Sequence, residues 1–162
     1  MQCVFHMVEP GGTKYTTGLL MIGAFMTEEK LITECLKVRK ALEDAAKRNM
    51  LPDQLFYRFP RGACLISTLV LAQYLQHFDS KNAFLIVSGW NRNTSHAWLE
   101  YDGYIIDVTA DQFPEIKEAV YFTKDRNFHS QFRYDRQVRK FSEYTLSYDE
   151  RVLYRFVCEN ID

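Results

Sequence analysis

Apolar positions recur at helical spacing in some stretches of this chain and form continuous apolar or aromatic-rich runs in others, and the switch between them predicts its elements. From Thr27 to Met50, Leu31, Ile32, Cys35, Leu36, Val38, Leu42 and the Ala45–Ala46 pair fall at helical spacing. Thr27 is a good N-cap. Glu28 and Glu29 open the segment, and Lys47 and Arg48 close it, as the helix dipole prefers. Its expected role is packing. Pro52 then excludes helix at the start of a connection running to Phe59. From Ala63 to His77 there is no Gly or Pro, and Leu65, Ile66, Leu69, Val70, Leu71 and Leu75 cover most of a helical wheel. A helix apolar nearly all round is expected to be buried.

The period then changes. Ala83–Trp90 is a continuous apolar run, read as a central strand, and the polar stretch 91–94 leads out of it. Ser95–Tyr101 and Tyr104–Thr109 are rich in aromatic and β-branched residues and flank Asp102-Gly103, a strong signal for a two-residue hairpin turn. The three runs form an antiparallel meander, with the 63–77 helix expected across one face. Val120-Tyr121-Phe122 reads as a further strand. Ser147 caps a terminal helix to Cys158, with Val152, Leu153, Phe156 and Val157 as its apolar stripe. The fold class expected is therefore α+β.

Chain length supports one domain with a proper core, 162 residues in all. The domain is expected over 26–162. Residues 1–25 read as an N-terminal extension dispensable to it, because Gly11-Gly12 and Gly18 break them up. The apolar run Leu19–Phe25 is too short to span a membrane and lacks the basic flank of a signal peptide. The net charge of −1 gives no global bias toward nucleic acid or membrane. One local exception is Lys124 to Phe141, where arginines interleave with Phe128, His129, Phe132 and Tyr134. Such a pattern can bind single-stranded nucleic acid. A solvated loop with aromatics tucked under it is the plainer reading, and nucleic acid is not expected as a partner. Four widely spaced cysteines with no C-x-x-C pair argue against structural zinc and for a reducing, cytoplasmic setting. No cofactor or metal is expected.

Chemistry concentrates in three residues. Cys64 falls in the first turn of the buried helix, where unpaired N–H groups and the positive dipole end favour a thiolate. Taken alone, it is also a small buried apolar residue, as free Cys commonly is. A two-residue loop at Asp102-Gly103 pairs Tyr101 with Tyr104, Glu100 with Ile105, Leu99 with Ile106, and Trp98 with Asp107. Paired residues share a face, as do residues two apart. His96 then becomes the diagonal neighbour of Asp107, within reach of an imidazole–carboxylate hydrogen bond; taken alone, His96 also reads as a satisfied core histidine and Asp107 as a strand-end turn former. Asp111 and Glu100 are the competing acids. Trp90 and Trp98 are candidate walls of an acyl pocket, with core packing the plainer role of each alone. Resemblance to papain-like enzymes, which often carry an oxyanion-hole amide upstream of the thiol, makes Gln54 a candidate for that role, with a solvated loop residue the plainer reading. Cys, His and Asp together form the arrangement of a nucleophilic thiol enzyme.

The Cys64-Leu65 helix start and the run His96-Ala97-Trp98-Leu99-Glu100-x-Asp102-Gly103 resemble the transglutaminase-like cysteine proteases that process lasso-peptide precursors, the microcin-processing type. More distantly they are similar to arylamine N-acetyltransferases. The resemblance covers about Cys64 to Val108. It implies a transglutaminase-core or papain-like fold, with Cys64 as nucleophile, His96 as base and Asp107 as orienting acid, and a peptide or protein substrate. Two functions of different class follow: a thiol enzyme acting on amides or thioesters, or a non-catalytic binding protein that keeps the fold.

Overall fold

The computed structural model describes residues 26–51, 56–80 and 83–161. The expectations for residues 1–25 and for Gln54 lie outside these. Among the described residues the chain is mixed α+β, with three α-helices and a five-stranded antiparallel sheet. Helix α1 spans Glu28–Lys47, with the Thr27 hydroxyl accepting from the Lys30 N–H as N-cap. Helix α2 spans Cys64–Leu75, and α3 spans Tyr148–Glu159. Ser147 and Glu150 form a reciprocal capping box at the start of α3, which fixes its first turn.

The strands are β1 Leu85–Trp90, β2 Ser95–Tyr101, β3 Tyr104–Asp107, β4 Tyr121–Thr123 and β5 Tyr134–Lys140, in the spatial order β4-β3-β2-β1-β5. The meander read from the sequence is present, and Val120–Phe122 is displaced by one residue into β4. β2 is buried on both faces. Leu99 and Tyr101 belong to the main core with α2, while Trp98 packs in a second cluster with Val87, Ile105 and Phe132. Helix α2 packs on β2 and touches both other helices. Its buried residues run Ser67–Ala72, then Tyr74 and Leu75. Leu65, counted on the apolar wheel, is instead 44% exposed. Among the described residues no helix is long and apolar enough to cross a membrane.

The largest departure from the sequence reading lies in 124–141, expected as a solvated loop. Residues 134–140 form β5, paired with β1 through Leu85↔Lys140, Ile86↔Arg139 and Val87↔Val138. Every residue of β5 is exposed, so the apolar alternation that reveals a half-buried strand is missing. Backbone pairing to β1 holds it instead. β4 and β5 occupy opposite edges, so residues 124–133 must cross the sheet. Four strand spacings come to about 19 Å, and ten extended residues reach about 33 Å. The crossing segment lays Phe128 and Phe132 over Trp98 and Val87, covering the second face of the sheet.

The crossing backbone lies close on β1 at Gly89. A Cβ there would stand 2.1 Å from the Phe132 carbonyl oxygen, with backbone on both sides of the clash. We expect Gly89→Ala to destabilise the fold by about 1–3 kcal/mol, the range for overpacking, read as a lower urea midpoint. An unchanged midpoint would mean that the crossing segment yields freely.

Candidate active site

The turn between β2 and β3 sets the geometry. Asp102 and Gly103 have φ of 48° and 78°, so both central residues are left-handed, as a type I′ turn requires. The pairs Tyr101↔Tyr104, Glu100↔Ile105 and Leu99↔Ile106 follow in the register read from the sequence. His96 and Asp107 therefore share a face. The His96 Nε2 lies 2.6 Å from Asp107 Oδ2, with both side chains buried.

Asp107 is surrounded by donors. Its Oδ1 accepts from the Thr109 N–H at 2.9 Å and from the Thr109 hydroxyl at 3.0 Å. This local turn ends β3 at Asp107, two residues short of the strand read from the sequence. Its Oδ2 accepts a second bond, from His129 Nε2 at 2.9 Å. Burial by itself raises the carboxyl pKa. The His96 charge and the hydrogen bonds from both histidines outweigh it and hold Asp107 well below the usual carboxylate range.

An ionised carboxylate only accepts, so Nε2 of His96 carries hydrogen and Nδ1 is left as the basic nitrogen. The Gln112 amide lies 3.4 Å from that Nδ1 and also donates to the Thr109 carbonyl at 2.9 Å. Phe113 meets the ring edge-on at 4.9 Å. Burial pulls the His96 pKa down. The Asp107 charge and hydrogen bond, and then the interaction with the Cys64 side chain, reverse this and raise it to about 9.

Cys64 is the first residue of α2, and its N-cap Ala63 contributes no side-chain hydrogen bond. The Thr68 hydroxyl sits 2.7 Å from the Cys64 carbonyl and 3.3 Å from the Ala97 carbonyl, next to His96. The start of α2 is thereby tied to the start of β2. Cys64 is half-buried and lines a cavity of about 560 Å³ with Leu65, Trp90, His96 and Arg136. Cys35 contrasts with it: complete burial, then Glu34, pushes its thiol far up, so it stays protonated.

The other residues singled out in the sequence separate. Trp90 is 49% exposed and lines the cavity. Trp98 is 1% exposed and does not line it. This Trp packs behind the site, 4.6 Å from the His129 ring, and donates from Nε1 to Glu100 at 3.2 Å. Packing with Val87, Ile105 and Phe132 puts it in the second core cluster. The competing acids are engaged elsewhere. Glu100 pairs with Arg126 at 2.8 Å and Arg136 at 3.3 Å. Asp111 takes two 2.8 Å bonds from Arg39.

Three contributors were not singled out in the sequence. Arg39 had a signal: it lies four residues after Cys35 and next to Val38, on the apolar stripe of α1. Gln112 follows Asp107 closely enough to reach back to the same histidine. His129 had no local signal, because only the crossing of the sheet brings it to Asp107. The two imidazoles and the carboxylate also present three potential metal-ligand atoms within 4.8 Å of one another. Compared with known proteins, the chain matches no family model, no curated protein and no solved structure.

The two shifts give stability a defined pH dependence. His96 has a folded pKa of about 9, above its unfolded 6.5, so its contribution is complete below pH 6.5 and lost as pH rises through about 9. Asp107 has a folded pKa below its unfolded 3.8, so its contribution is present above that value and lost only as pH falls through the depressed one. We expect unfolding free energy to fall from about pH 6.5 toward about 9, and His96→Gln to flatten that limb. Parallel profiles for the two proteins would contradict the coupling.

Proposed function

We propose that this chain is a Cys–His–Asp thiol enzyme that cleaves or transfers an acyl group from an amide or thioester through a covalent acyl-enzyme. The observation that carries the reading is the state of His96. Its Nε2 is pinned by an ionised, buried Asp107, while the ring shares a cavity with a thiol at a helix start. An imidazolium beside a thiol stabilises the thiolate, the nucleophilic form. The likeness of Cys64 to Val108 to transglutaminase-like cysteine proteases of the microcin-processing type, and more distantly to arylamine N-acetyltransferases, supports the same assignment.

In this reading the Cys64 thiolate attacks the substrate carbonyl carbon and forms the C–S bond. Negative charge moves to the carbonyl oxygen, which the N–H groups at the start of α2 stabilise. Collapse expels the amine or thiol leaving group, which takes the Nδ1 proton of His96. His96, now neutral, removes a proton from water or an acceptor amine as it attacks the thioester. Water yields an acid and an amine yields a new amide. The proton then returns through His96 to the departing Cys64 sulfur. Asp107 keeps Nε2 protonated and the ring oriented throughout.

A peptide is the substrate class we favour. The cavity is flanked by residues of β5, an edge strand exposed along its length, and by Trp90 and Leu65, apolar side chains held at the surface beside the thiol.

The test is the rate of Cys64 alkylation by iodoacetamide against pH, with the adduct located by mass spectrometry. We expect a profile midpoint well below the ~8.5 of a free thiol, displaced upward in Asp107→Asn and lost in His96→Ala. Asp111→Asn and Glu100→Gln should retain the wild-type midpoint. Against a cleaved substrate, Asp107→Asn should lower turnover by about 10- to 10⁴-fold. A profile indifferent to His96→Ala makes Cys64 a structural thiol and favours a binding protein.

A further inference from the structure

We propose that His129 is a positioning residue of this site, acting on His96 through the Asp107 carboxylate; the inference rests on the thiol-enzyme reading above. The oxygen that His96 uses, Oδ2, is shared. It accepts from His96 Nε2 at 2.6 Å and from His129 Nε2 at 2.9 Å. The other oxygen accepts both of its bonds from Thr109, two residues along the same chain. Thr109 moves with Asp107 and leaves Oδ2 unanchored. His129 comes from the far side, on the segment that crosses the sheet, and is the one donor besides His96 described at Oδ2.

His129 is itself held firmly. It is 3% exposed and opens the short 3₁₀ turn His129–Gln131. Its ring lies against Trp98 at 4.6 Å, Phe128 at 4.9 Å and Tyr121 at 5.8 Å. Its Nδ1 has no hydrogen-bond partner among the described residues, so the polar capacity of the ring goes to Asp107 alone. A packing residue at this position needs no nitrogen, and a leucine or phenylalanine fills an aromatic box without leaving a polar atom unmatched.

The alternative use of the same three side chains is a buried metal site. The hydrogen bonds argue against it. A carboxylate offers about four lone-pair positions, and all four on Asp107 already accept protons. The separation of 2.6 Å between His96 Nε2 and Asp107 Oδ2 is that of a strong charge-assisted hydrogen bond.

The experiment compares His129→Leu, His129→Gln and His129→Asn with wild type and His96→Ala, using Cys64 alkylation by iodoacetamide as a function of pH. The glutamine amide reaches the place of Nε2 and the shorter asparagine amide does not. We expect His129→Leu and His129→Asn to slow alkylation at pH 6.5 by about tenfold, in line with losing a hydrogen bond to a charged group, and to move the midpoint toward ~8.5. His129→Gln should restore most of both. Should the leucine variant fail to fold, the glutamine–asparagine difference carries the same test. If all three variants follow the wild-type profile while His96→Ala abolishes it, His129 only packs and this inference falls while the enzyme reading stands. Equal impairment of glutamine and leucine variants also overturns it. If His96→Ala leaves the profile unchanged, the enzyme reading itself fails. One equivalent of tightly bound zinc in the purified protein, lost in every His129 variant, would replace positioning by metal ligation.

Discussion

A buried ionised carboxylate is the most demanding group in this structure, and much of the fold answers to it. An unpaired charge in the interior is too costly to persist, so Asp107 requires donors around both oxygens. They come from three places: His96 on β2, Thr109 just past β3, and His129 on the crossing segment. None of the three is optional in geometry. The two-residue turn puts His96 on the right face, the local turn at Thr109 stops β3 at the right residue, and the crossing closes the site from outside.

A second buried charge extends this arrangement to the helices. Arg39 on α1 donates to the Val108 and Ala119 carbonyls and to both Asp111 oxygens, each at 2.8 Å. Those bonds close the loop that follows Asp107 and hold it against α1. Within that loop Gln112 and Phe113 contact the His96 ring. The segment 107–113 therefore surrounds one histidine, and Arg39 keeps it there. α1, expected only to pack, is also the clamp on the loop that shapes the site.

The thiol side is built differently. Cys64 is presented by the end of a helix and not by buried charge pairs, and Thr68 ties that end to β2. Leu65 and Trp90 remain exposed beside it, and β5 borders the same cavity. The buried half of the site, around Asp107, faces inward, and the accessible half faces the surface.

What could be read from the sequence alone was whatever depends on neighbours along the chain. Helical spacing and caps marked α1 and α3, and an uninterrupted apolar wheel marked α2. Aromatic- and β-branched-rich runs flanking Asp102-Gly103 marked the hairpin, and the loop length carried the register that joins His96 to Asp107. Each is a short-range rule, with side-chain direction fixed by backbone geometry over a few residues. β5 stayed hidden because a strand exposed along its whole length has no alternation to show. Trp98 and Trp90 looked equivalent as candidates; burial against the crossing segment separated them. His129 reaches Asp107 only because β4 and β5 lie at opposite edges, so that ten residues have to span the sheet. Strand order is a global property set by how both sheet faces are covered, and no local spacing encodes it.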